Sequence, residues 1–279
     1  SPNRAETCLL VQAGTSKFII DTGRGSADNL QRWRVDYSNL EAVILSHLHS
    51  DHISDLHEVQ FQSWLGGRKT PLSVIGPIGT ASTALGFEQA FELDSIYRSE
   101  HHGAILPIEA YGYDVVEFEG DAALIFQNED TSITAFKVDH SPVDPSYAFK
   151  IEYKDRSIVL SGDTISLEVM TEYSKGVDVL FHDALALPLI QEMERISKEL
   201  GNDVVSKVLF DIQDYHANTI EVADIAKKAE VDLLVFYHLI PAPINYISEQ
   251  MFLRGVDEIF SNLSLIHISE PTRPSIISY

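Results

Sequence analysis

The six residues His47-Leu48-His49-Ser50-Asp51-His52 put three imidazoles and a carboxylate directly after the apolar run Leu40 to Leu45. A short run of this kind reads as a buried strand, and chemistry-bearing side chains gather on the loops that leave strands. At the end of such a strand His47 and His49 point to one side, while Asp51 and His52 continue round the next turn toward the same point. Imidazole nitrogen and carboxylate oxygen suit zinc, and also manganese or iron, because geometry and metal supply rather than affinity decide occupancy. A polar helix cap would account for Asp51 but not for three histidines.

Composition narrows what else can share the work. Cys8 is the only cysteine, which excludes an internal disulfide and any cysteine-built zinc knuckle. Any metal must therefore rest on His and Asp. Lys plus Arg number 20 against 42 Asp plus Glu, a formal net charge of −22. Such a field keeps a chain in solution and repels polyanions unless a basic patch offsets it, so nucleic acid is a disfavoured partner. No apolar stretch reaches about 18 residues and no cationic segment precedes an apolar one, so the reading is a soluble chain without signal peptide or membrane span, its compartment open. With 44% hydrophobic content in 279 residues, 1–262 read as one domain. The opening strand and turn expected ahead of Thr7 lie upstream of Ser1, so the N-terminus reads as truncated. The string from Ser264 to Pro274 resembles translated sequencing-adapter text, so residues 263–279 read as a non-native tail, with no function for His267.

Along the chain, Thr7 to Val11 and Lys17 to Ile20 read as a hairpin closed by Asp21-Thr22-Gly23. Ile53 to Leu65 has near-helical apolar spacing and stops at Gly66-Gly67, and Leu72 to Ile75 is a strand. Strands follow at Asp114 to Phe118, Ala122 to Phe126, Ser132 to Val138, Tyr147 to Tyr153 and Ser157 to Leu160. From Ile165 on, helical text (Leu167 to Tyr173, Leu187 to Leu200, Thr219 to Ala229) alternates with strands Val177 to Phe181 and Val231 to Tyr237, an α/β pattern in which helices cover two sheets. Three more donors stand at strand ends: His140, Asp163 and His238. Singly they read as a turn residue, a helix N-cap and a core histidine. His57 reads as a support for the ligands or a surface residue, His101-His102 as loop, and His182 as packed beside its strand.

Together with the first motif, these residues resemble the metallo-β-lactamase superfamily, and within it ribonuclease Z, over roughly Arg4 to Asn262. The resemblance implies an αββα sandwich, two β-sheets covered by helices on both outer faces. It implies two zinc ions, or manganese or iron in their place, with His47, His49 and His140 on the first, Asp51, His52 and His238 on the second, and Asp163 bridging. A hydroxide bridging the two ions would be the nucleophile, oriented by Asp51. His216 matches the family's proton donor and Asp183 its acidic partner, although the family writes His-Glu-Ala-Thr where this chain reads His182-Asp183-Ala184-Leu185. Apart from the resemblance, His216 also reads as a cap for the helix starting near Thr219. A homodimer is implied as well.

The ribonuclease Z arm that grips transfer RNA falls between the positions of His140 and Asp163. Here residues 141–162 are spent on a hairpin, so a small ester or phosphodiester is the expected substrate and transfer RNA a disfavoured one. A glutamate would replace His49 in a diiron oxygen reductase of this fold, and true β-lactamases lack the aspartate at Asp163. The remaining readings are a phosphodiesterase acting on cyclic nucleotides or small diesters, an arylsulfatase-like esterase, a lactonase and, from another class, a non-catalytic metal-binding interaction domain. His216 favours the phosphodiesterase.

Overall fold

The computed structural model describes residues 5–265. Among these the chain divides at Glu119/Gly120 into two compact units, each with its own sheet and core.

The first unit opens with the hairpin β1 (Leu9–Ala13) and β2 (Ser16–Ile20), antiparallel as its alternating sequence requires. Helix α1 (Ser26–Arg32) then crosses to β3 (Ala42–Ile44), parallel to β2. The apolar text expected to be one helix is two, α2 (Ser50–Ile53) and α3 (Leu56–Leu65). They part at Ser54-Asp55 because Asp55 turns its carboxylate to the backbone N–H of Ala27, an orphan donor in the first turn of α1. Strand β4 (Leu72–Pro77), helix α4 (Thr80–His102) and β5 (Tyr113–Phe118) complete the sheet in the order β1-β2-β3-β4-β5. Glu117 on β5 accepts from the N–H groups of Gly79 and Ala81, satisfying the start of α4 with a carboxylate. The core beneath holds Ile19, Leu30, Val43, Leu45, Leu56, Val59 and Val74. His101-His102, expected in a loop, close the last turn of α4, since the helix runs on to its cap at Gly103.

The second unit begins with an antiparallel meander, β6 (Ala122–Gln127), β7 (Thr131–His140), β8 (Val143–Tyr153) and β9 (Arg156–Leu160). It continues in parallel through α5 (Glu168–Tyr173) to β10 (Val179–Leu185), and through α6 (Leu187–Glu199), α7 (Asp203–Asp211) and α8 (Thr219–Lys228) to β11 (Leu233–Ile240). After α9 (Tyr246–Phe252), β12 (Leu263–Leu265) joins the edge, giving the order β12-β11-β10-β9-β8-β7-β6. Phe136, Val159, Leu180, Phe236, Val222, Ala226 and Phe252 form its core. The first residues of the tail read as non-native thus extend a sheet; the rest of it, His267 included, lies outside the described residues. No helix among the described residues is long and apolar enough to cross a membrane.

Candidate functional site

In the first unit the donors follow β3, as the pattern requires. His47 and His52 are buried, Asp51 is half-buried and His49 is exposed. Their atoms fall into two pairs: His47 Nε2 lies 3.1 Å from His49 Nδ1, and His52 Nε2 lies 3.9 Å from Asp51 Oδ2. Each pair brings a lone-pair donor of one side chain beside that of another, an arrangement a cation satisfies.

Asp21, which in the sequence is only part of a turn, organises this loop. Because β2 and β3 run parallel, the residue leaving β2 arrives beside the residues leaving β3. Asp21 Oδ1 accepts from the Ser46 N–H at 2.8 Å, and Oδ2 accepts from Ser46 Oγ and His52 Nδ1, each at 2.8 Å. With Nδ1 of His52 engaged by a carboxylate, Nε2 is the nitrogen left to act as a donor to metal. Asp21 holds this post at φ 58°, a left-handed conformation uncommon for a side-chain-bearing residue. Two positions on, a Cβ at Gly23 would run into the backbone oxygen of Asp51. That close approach accounts for the glycine.

In the second unit His140 ends β7, and its Nδ1 donates to the Tyr215 carbonyl at 2.9 Å, so the lone pair of the ring is on Nε2. The loop after β9 is drawn to the same place: Ile165 N–H donates to the Asp139 carbonyl at 3.0 Å and Ser146 Oγ to that of Asp163 at 3.2 Å. Asp163 Oδ2 therefore lies 3.9 Å from His140 Nε2 and 3.4 Å from His238 Nε2. Asp163 does not cap a helix, as α5 starts only at Glu168 with Leu167 ahead of it.

His238 was expected at the end of a strand; it stands inside β11, at a bulge. Asp183 pairs with Tyr237 and Ala184 with Leu239, so His238 has no opposite number, and its φ is 46°. Such a bulge re-aims one side chain without ending the strand.

His216 sits in a loop fixed by Ala217 N–H to the Thr164 carbonyl at 2.8 Å and Leu185 N–H to the Ala217 carbonyl at 2.9 Å. It does not cap α8; Asn218 does, in a capping box with Glu221. Instead His216 Nδ1 lies 2.8 Å from Asp183 Oδ2, so the shorter carboxylate reaches it. A donor atom of His216 also lies within 4.8 Å of one on His140 and one on Asp163, all three side chains being buried. Burial alone would push the Asp183 carboxyl up, but hydrogen bonds from His182 and His216 and their positive potential outweigh it and hold the group below the usual carboxylate range.

His182 and His57 depart from expectation. The His182 ring bonds Asp183 rather than merely packing. His57 is buried, its ring stacked on Phe91 with centroids 3.4 Å apart and planes 6° from parallel, and burial pushes its imidazole pKa below the usual value.

The donor chemistry is that of a divalent-cation site: His and Asp only, with His52 and His140 each braced at Nδ1 by an oxygen acceptor.

The family model described as anti-Pycsar protein Apyc1 matches residues 2–190. Ribonuclease Z of Mycobacterium bovis (strain BCG / Pasteur 1173P2) is 34% identical over 247 residues, covering 86% of this chain and 82% of that protein. Ribonuclease Z of Mycobacterium marinum (strain ATCC BAA-535 / M) is 34% identical over 249 residues, 87% of this chain and 83% of that one. Among solved structures, the metallo-β-lactamase fold protein YhfI from Bacillus subtilis superposes with a TM-score of 0.69 at 20% identity, covering 97% of this chain and 92% of that one. Human tRNase Z, short form, gives 0.62 at 20% identity, with 86% and 88% covered. A diphosphatase from the PhnP family gives 0.59 at 15% identity, with 97% and 85% covered.

Proposed function

The chain belongs to the family described as anti-Pycsar protein Apyc1 and to the ribonuclease Z-related hydrolases of the metallo-β-lactamase fold, and on that premise we propose that it is a two-zinc phosphodiesterase acting on small diesters. His47, His49 and His140 would hold one ion, Asp51, His52 and His238 the other, and Asp163 would contribute to both. The pairing of donor atoms in the loop after β3 supports this partition, as does the position of Asp163 Oδ2 beside His140 Nε2 and His238 Nε2. When bound, such ions supply Lewis acidity, acidifying water toward a pKa of about 7 and neutralising charge on phosphoryl oxygens.

The chain's own residues complete the reaction. Asp51 accepts a hydrogen bond from the attacking water and orients it. His216, held at Nδ1 by Asp183, gives the proton on Nε2 to the departing oxygen, and Asp183 stabilises the imidazolium before transfer. This dyad is the observation that carries the phosphodiester assignment. An alkoxide leaving a phosphodiester is a poor leaving group that needs the proton; an aryl sulfate's phenoxide needs it far less.

Two features favour a small substrate. Residues 141–162 are occupied by the β8–β9 hairpin, and the net charge of −22 opposes a polyanion. A second reading, cleavage of an RNA phosphodiester, is favoured by the 34% identity to ribonuclease Z. The zinc- or manganese-loaded enzyme should turn over a 3′,5′-cyclic nucleotide and bis(p-nitrophenyl) phosphate in preference to p-nitrophenyl sulfate, a homoserine lactone and a precursor transfer RNA. Cleavage of the RNA without turnover of the cyclic nucleotide would replace the first reading by the second. No turnover of any of these would return the chain to the class of metal-binding interaction domains.

A further inference from the structure

The His216–Asp183 pair has a third member. Asp183 is fully buried, and its two carboxylate oxygens face different neighbours: Oδ2 takes His216 Nδ1 at 2.8 Å, and Oδ1 lies 2.9 Å from His182 Nδ1 and 3.3 Å from Ser161 Oγ. A hydroxyl has one proton to give. Ser161 Oγ lies 2.5 Å from the Gly162 carbonyl and accepts from the Asp183 N–H at 2.9 Å, so its proton is directed to Gly162. His182 is then the donor that fixes Oδ1. Its Nδ1 has two neighbours, Asp183 Oδ1 at 2.9 Å and the Asp183 carbonyl at 2.8 Å, and both only accept, which requires the proton on Nδ1 and shares it between them.

We propose that His182 is a positioning residue for proton donation: it clamps Oδ1 of Asp183 so that Oδ2 stays on His216 Nδ1. The inference rests on reading His216 as the proton donor. The torsion that turns an aspartate carboxylate is broad and nearly two-fold, so a carboxylate held at one oxygen can rotate away. Held at both, it keeps the Nδ1–H tautomer of His216 and leaves Nε2 for the substrate. His182 itself touches no substrate.

The test uses the full chain with ring-15N histidine, as wild type, His182→Ala and His182→Asn; asparagine puts an amide N–H near the place of Nδ1. Long-range 1H–15N correlation on the metal-free protein should show His216 as the Nδ1–H tautomer in the wild type and the asparagine variant. The alanine variant should show a mixture. In zinc-loaded enzyme, His182→Ala should lower kcat about 10- to 100-fold on a diester with an alkyl leaving group. KM should hold, the rate on bis(p-nitrophenyl) phosphate should change little, and His182→Asn should recover most of the loss. An unchanged His216 signature in His182→Ala, or equal losses on both leaving groups, overturns the proposal. If His216→Ala itself loses equally on both, the proton-donor reading fails, and the tautomer spectrum alone decides whether His182 positions His216.

Discussion

At the scale of single residues, the candidate donors rest on supports that carry no motif of their own, unlike the donors themselves, whose types are rare together and whose spacing follows strands. Asp21 is one carboxylate in a turn, and nothing in the text around it distinguishes it from a solvent-facing turn residue. Its role appears only once β2 and β3 are neighbours and Asp21 meets Ser46 and His52. The Tyr215 brace on His140 is a backbone carbonyl and has no sequence signature at all. Replacing Asp21 with Asn keeps the volume but presents an N–H where two donors need an acceptor. Zinc affinity, read by competitive titration against a chelating dye, should fall about 10- to 100-fold in Asp21→Asn. Affinity equal to the wild type would show that Asp21 shapes the loop without acting on His52.

At the scale of elements, strands were read well and helices unevenly, for one physical reason. Strands β3, β7, β10 and β11 are largely buried, so their apolar text is dense. Helix α4 buries only Thr80, Ala84 and Ser95 while leaving Leu85, Phe91, Leu93 and Tyr97 exposed, so its apolar periodicity is weak. Helices α1 and α7 are too short to show a period clearly. The α3–α4 contact also bears on pH. The His57 ring, from α3, lies flat on Phe91 of α4, and burial lowers its pKa. Below the ordinary histidine value of about 6.5 the unfolded chain takes up a proton that the folded ring still refuses, so this group makes stability fall as pH falls. The loss of urea midpoint between pH 7.5 and pH 5.5 should therefore be smaller in His57→Phe than in the wild type. The same loss in both would mean that His57 does not titrate differently on folding.

At the scale of the whole molecule, charge dominates what the chain meets. A net charge of −22 faces an anionic substrate with repulsion at long range, which salt screens over about 8–10 Å at physiological strength. For a cyclic nucleotide, kcat/KM should rise from low salt to about 0.15 M, whereas a protein that grips phosphates loses affinity over the same range. A monotonic fall with salt would reveal a local basic path that overrides the net charge. Fold class was legible at this scale because βαβ text and the donor spacing agree, and the relatives bear it out. The non-local pairings that set the order of strands are carried by register, which the text of any one strand does not contain.

The bulge in β11 makes His238 a supernumerary residue in the ladder. Asp183 and Ala184 pair with Tyr237 and Leu239 and skip it, so excising that one residue would leave the flanking pairs in frame and every later side chain on its own face. A deletion, ordinarily the most disruptive change a strand can suffer, becomes here the gentlest way to remove a proposed ligand. The shortened chain should keep the wild-type far-ultraviolet circular dichroism and bind one zinc ion fewer; loss of the spectrum would mean that the bulge itself holds the strand.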